Sequence, residues 1–105
     1  LHHGTLNAMF LAAVVRFNAD AESVQRENRL NRIAHAMNLS SGSDIPNAIR
    51  EMNARLGLPT GLAAMGVESA QFEAIISGAL KDHCHATNPR LATVQDYEQM
   101  LSTSL

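Results

Sequence analysis

The sequence predicts an all-α fold, a compact bundle of about five helices around a buried first helix. Three observations predict it. Every apolar segment repeats at helical spacing, and none alternates with the period of two that a half-buried strand needs. Aromatic residues are only 4% of a chain that is 46% hydrophobic, a balance that favours helices over a sandwich or barrel. No internal repeat or low-complexity segment breaks the pattern.

The first helix is expected from about Thr5 to Asn18. Ala8 to Val15 runs without a polar residue. A helix apolar on nearly every face is a central one, covered by the others. The run is far shorter than the roughly 20 residues that span a bilayer. Asp20 to Ser23 then offers cap residues for a second helix, in which Leu30, Ile33, Ala34 and Met37 form one apolar stripe. Arg26, Arg29 and Arg32 lie off that stripe and read as a solvated face. His35 lies beside it and reads as a partly buried structural histidine rather than a ligand.

Asn38 to Asp44 is rich in Ser and Gly and reads as a loop. The third helix starts near Asp44 with Pro46 in its first turn, where the missing N–H does no harm. Ile45, Ala48, Ile49, Met52 and Leu56 keep helical period, Gly57 caps the end and Pro59 blocks continuation. Residues 58 to 67 form a connection with one short helical turn. The fourth helix runs from about Glu68 to His83, with Phe72, Ile75, Ile76, Ala79 and Leu80 inward. Gly78 inside it costs about 1 kcal/mol relative to alanine, so close helix packing is expected there. Residues 83 to 90 form a polar corner. Thr93-Val94-Gln95-Asp96 resembles a capping box that starts a final helix with Val94, Tyr97 and Leu101 on its apolar side.

At 105 residues, 1–105 is a single domain. The net charge of −2 and the lack of any basic cluster exclude nucleic acid as a partner class. One cysteine rules out an internal disulfide and fits a reducing compartment, the cytoplasm. The start has no basic region followed by a cleavage site, and no membrane segment is expected. A start without methionine points to a fragment or a processed product.

Two histidine clusters could carry chemistry. His2 and His3 are adjacent, so on a regular element they point apart and do not chelate one ion together. Read as residues alone, they are a solvent-exposed terminus. Neutral imidazole also binds Fe, Zn and Ni readily. His83, Cys84 and His85 form the second cluster. Zinc sites space paired ligands by two or more residues and use three or four of them, so an independent metal site fits poorly. A buried cysteine ending a helix is the plainer reading. There is no glycine-rich phosphate loop and no convincing nucleophile–base arrangement.

The opening Leu1-His2-His3-Gly4-Thr5-Leu6-Asn7-Ala8, the following apolar residues and Arg16-Phe17-Asn18 resemble the iron-containing (group III) alcohol dehydrogenase family. The resemblance continues through Leu56-Gly57-Leu58-Pro59, Gly66-Val67 and Asn88-Pro89-Arg90, almost the whole chain. HGxxN alone is a weak motif; its order and spacing with LGLP and NPR make the match specific. Many members carry proline where this chain has His2.

The resemblance implies the C-terminal helical domain of a larger dehydrogenase whose N-terminal dinucleotide-binding domain is its intramolecular partner. It implies His3 as the last of four metal ligands, with His2 behind the site or on the surface. Cys84 would line a pocket near substrate and nicotinamide, with His85 a weaker member. The metal implied is divalent, Fe(II) before Zn, and the cofactor NAD or NADP. The parent enzyme would interconvert an alcohol and an aldehyde or ketone, the metal acting as a Lewis acid on the substrate oxygen. Assembly into a homo-oligomer is compatible with this. The fragment alone would be inactive. The alternative is a stand-alone helical interaction or structural module, since helical bundles host many functions.

Overall fold

The computed structural model describes residues 1–105. Its regular elements are seven α-helices and three 3₁₀ turns, with no strand. The helices are α1 (His3–Asn18), α2 (Glu22–Arg26), α3 (Arg29–Ala36), α4 (Ile45–Arg55), α5 (Phe72–Lys81), α6 (His83–Thr87) and α7 (Val94–Thr103). The 3₁₀ turns are Gly42–Asp44, Ala63–Met65 and Ser69–Gln71. The all-α expectation holds, with seven helices in place of five.

The two extra helices come from two breaks. Asn28 takes a left-handed backbone, φ 53°, and splits the expected second helix into α2 and α3. Asparagine tolerates that region better than most residues, because its short polar side chain can bond locally. Here Asn31 Nδ2 donates to Asn28 Oδ1 at 2.7 Å. The second break is at Asp82, whose ψ of 141° is extended. Its carboxylate accepts from the Cys84 N–H at 2.8 Å and so restarts the chain as α6. Elsewhere the expected punctuation is present: Pro46 lies in the first turn of α4, and Gly57 follows its end at φ 72°.

α1 is the hub of the packing, with α4 and α7 laid against it. One apolar cluster joins Leu62, Val67, Phe72, Ile76 and Leu101, with Leu6, Met9, Phe10 and Tyr97 against it. The other joins Ala12, Ala34, Ile45 and Ile49, with Val15, Leu30 and Leu39 against it. Asn53 of α4 is buried and donates from Nδ2 to the Ala8 carbonyl at 2.9 Å, which ties α4 to α1 in register. The C-terminus is strapped across the core: the Leu62 and Ala63 N–H groups donate to the Ser104 and Leu105 carbonyls, each at 2.8 Å.

α1 is central, but it is not covered all round as its composition predicts. Only Ala12 and Ala13 are buried, and Leu11 is 45% exposed. The molecule is 38 × 32 × 19 Å. A thickness of 19 Å is about two helix diameters, so each helix keeps an open side. On α1 that side carries His3, Asn7 and Leu11, one turn apart and all exposed. Ile33, Met37, Met52, Leu56, Ile75 and Leu80 are exposed for the same reason. His35 is exposed rather than partly buried. Gly78 faces open space and makes no close helix contact. The tight approaches are at Gly42 and Gly61 instead.

The expected box at α7 forms: Thr93 Oγ1 accepts from the Asp96 N–H at 3.1 Å, and Asp96 Oδ2 accepts from the Thr93 N–H at 2.8 Å. The bond from the Thr93 N–H holds the Asp96 carboxyl below its ordinary value, with Arg90 helping. A carboxyl depressed in the folded state stabilises the fold fully above its unfolded value and loses that contribution as pH falls through the folded value. Stability should therefore decline below about pH 4. In Asp96→Asn that acid dependence should be shallower, as read from thermal melts between neutrality and pH 2.5; equal slopes would contradict the role of Asp96.

Candidate functional site

His2 and His3 occupy different positions at the head of α1. His2 is the N-cap: its Nδ1 accepts from the Thr5 N–H at 3.3 Å and lies 3.2 Å from Thr5 Oγ1. That bond satisfies one of the free N–H groups at the helix start, so His2 has a local structural job. His3 is the first helical residue, exposed, with its ring beside Asn7 one turn on. Asn7 Nδ2 donates to His3 Nε2 at 3.0 Å. A cation taking Nε2 would replace that bond. A cation taking Nδ1 would require the amide to turn over, so that Oδ1 accepts from Nε2–H. Either way the chain offers one imidazole here, where tight sites use three or four protein ligands.

The polar corner is built on the Asp82 break. Cys84 is exposed at the start of α6, not buried at a helix end. His83 lies between its neighbours, with Nδ1 3.6 Å from Asp82 Oδ1 and Nε2 3.5 Å from Cys84 Sγ. His85 turns the other way. Its Nδ1 is 2.7 Å from Tyr97 Oη, and the two rings stack at a tilt 5.7 Å apart. Burial pushes the Tyr97 hydroxyl above its usual value, with the Asp82 charge adding to it, so Tyr97 is a neutral partner. The cluster that geometry forms is thus Asp82, His83 and Cys84, not His83, Cys84 and His85. Sequence reading missed Asp82, although an aspartate two residues before Cys84 has N-cap spacing.

Asp82 also sets the reactivity of the thiol. Its hydrogen bond with Cys84, aided by its charge, pushes the Cys84 thiol up. The reactive thiolate is then scarce at neutral pH. Iodoacetamide at pH 7 should label Cys84 more slowly than a free cysteine despite its exposure, and Asp82→Asn should speed the labelling. A rate unchanged by that substitution would refute the coupling.

Two of the quoted motifs turn out to be one clamp. Asn18 and Asn88 exchange side-chain hydrogen bonds at 3.1 and 2.7 Å. Asn88 Nδ2 also donates to the Arg90 carbonyl at 2.6 Å. Arg90 donates to the Phe17 carbonyl at 3.0 Å and stacks its guanidinium 4.1 Å over the Phe17 ring. The clamp holds the segment after α6 to the last turn of α1, whereas His3 opens that helix. No hydrogen bond joins His3 to Cys84 or His85 within this chain. The larger surface clefts lie elsewhere, the widest between α5 and α7 around Phe72, Ile76, Leu80 and Val94. No helix is long and apolar enough to cross a membrane.

Comparison with known proteins matches residues 1–105 to the family described as "Fe-containing alcohol dehydrogenase family, C-terminal". The chain is 54% identical over its whole length to a 4-hydroxybutyrate dehydrogenase of Cupriavidus necator, of which it covers 28%. It is 33% identical, again over its whole length, to an NAD-dependent methanol dehydrogenase of Bacillus methanolicus, covering 29% of that protein. It is 31% identical over 97% of its length to a lactaldehyde reductase of Escherichia coli K12, covering 28% of it. No solved structure gives a significant match. The chain thus spans little more than a quarter of the length of these relatives, all of them dehydrogenases or reductases by name. With every residue inside the matching region, the chain belongs to the Fe-containing alcohol dehydrogenase family and carries its C-terminal, all-helical part.

Proposed function

We propose that the chain is the metal-binding helical part of an NAD(P)-dependent alcohol dehydrogenase, with His3 as one ligand of a divalent ion, Fe(II) before Zn(II). The observation that supports this best is the match of the whole chain to the family's C-terminal region, within which His3 stands exposed on the open side of α1. Imidazole suits either metal. When bound, such an ion supplies Lewis-acid polarisation of the substrate oxygen. The residues here hold and orient. Asn7 steadies the His3 ring, and His2 closes the helix beneath it. Cys84 would line the pocket for substrate and nicotinamide once the preceding domain covers it, with His85, turned toward Tyr97, the weaker member. The reaction moves a hydride from the alcohol carbon to nicotinamide and a proton from the alcohol oxygen to solvent. The preceding part of the parent protein supplies the dinucleotide-binding domain.

The substrate class follows the relative at 54% identity, a short ω-hydroxy acid. A cytoplasmic location accords with one exposed thiol and no membrane-length helix. The test is reduction of NAD or NADP by the full-length protein with 4-hydroxybutyrate, methanol and 1,2-propanediol in turn. Turnover fastest on 4-hydroxybutyrate is expected, with none from the 105 residues alone. Absence of turnover on every alcohol by metal-loaded full-length protein would overturn the proposal.

A further inference from the structure

The geometry points to a second cation site on this chain, at the Asp82–His83–Cys84 turn, that takes a thiophilic divalent ion such as Zn(II) or Co(II) independently of His3. Each of the three side chains offers one donor atom, and the three atoms lie within 4.8 Å of one another. A tetrahedral ion with bonds of about 2.0 to 2.3 Å separates its ligands by about 3.3 to 3.8 Å, so the donors must draw together by up to about 1.5 Å. All three side chains are exposed, so they can close the gap without disturbing a packed core.

The backbone presets the arrangement. The extended Asp82 and the first turn of α6 place the carboxylate over the Cys84 N–H, where the 2.8 Å bond fixes one oxygen and leaves the other free. The His83 ring lies between carboxylate and thiol, with Nδ1 3.6 Å from Asp82 Oδ1 and Nε2 3.5 Å from Cys84 Sγ; an ion takes one of these nitrogens, and the ring turns to present it. His85 is withdrawn by Tyr97 and takes no part. Carboxylate, imidazole and thiolate form a ligand set suited to Zn(II) or Co(II), and their two negative charges balance a divalent ion. Binding forms the metal–sulfur bond and releases the thiol proton, so affinity rises with pH. Three protein ligands leave a position open for water or another small ligand.

Cobalt(II) titration of the protein, followed by its absorption, tests the site, because only thiolate ligation produces a sulfur-to-cobalt charge-transfer band. A saturable 1:1 band is expected. It should vanish in Cys84→Ser, weaken more than about tenfold in apparent affinity in His83→Gln and in Asp82→Asn, and persist in His3→Ala. Asparagine still caps a helix, so Asp82→Asn removes the charge while keeping the turn. Absence of the band, its persistence undiminished in either His83→Gln or Asp82→Asn, or its loss in His3→Ala would each overturn the assignment.

Discussion

Gly42→Ala should destabilise the protein by about 1–3 kcal/mol, and Gly61→Ala by a similar or smaller amount, while Gly78→Ala should stabilise it by about 1 kcal/mol. The signs differ because the surroundings differ. A Cβ at Gly42 would lie 2.7 Å from Leu30 Cβ and 2.9 Å from the Leu30 carbonyl carbon. Those atoms belong to α3, which is held by buried Ala34, so the clash cannot be relieved by turning a flexible side chain. At Gly61 the Cβ would meet the Leu105 carbonyl, the acceptor of the strap bond from Ala63. That strap can shift at the cost of its hydrogen bonds, so the penalty should be smaller than at Gly42. Gly78 is an exposed residue inside α5 with nothing within 4 Å, so alanine brings helix propensity and no clash. Urea denaturation midpoints of the three variants decide the matter. A destabilised Gly78→Ala, or a neutral Gly42→Ala, would contradict the packing described.

The contrast at these glycines shows what the sequence could and could not reveal. Apolar spacing is local information, and it located α1, α4, α5 and α7 to within a few residues. It could not reveal the breaks at Asn28 and Asp82, which depend on a left-handed backbone at one residue and a side-chain cap at another. Nor could it say how much of each stripe is covered, because that depends on the thickness of the whole molecule. Leu11 and Ile33 sit at apolar positions yet stay 45% and 48% exposed. Asn53 would pass as a surface residue of α4, and only its bond to the Ala8 carbonyl explains its burial.

The candidate site was legible in unequal parts. His3 stood out through the motif around it, and its separation from His2 followed from their adjacency on a helix. The cap bond from His2 to Thr5 and the ring contact from His3 to Asn7 give that separation a physical form. The His83-Cys84-His85 cluster was visible as a run of donors but assembled differently. Tyr97 lies twelve residues from His85, and the pairing that withdraws His85 arises only when α6 packs near α7. The Asn18–Asn88 exchange joins motifs seventy residues apart in the same way.

The central claim is that His3 is a metal ligand and His2 is not, and metal content measured beside turnover in the full-length protein tests it most directly. Removing one ligand of a small set lowers affinity and leaves the others without a common orientation, an effect larger than the 10–100-fold typical of residues that merely orient ligands. His3→Ala should therefore lose nearly all bound iron and at least about a hundredfold in turnover. His2→Ala should keep its metal and most of its activity while losing about 1 kcal/mol of stability with the cap. A His3→Ala protein that retains a full equivalent of iron and near-normal turnover would contradict the account.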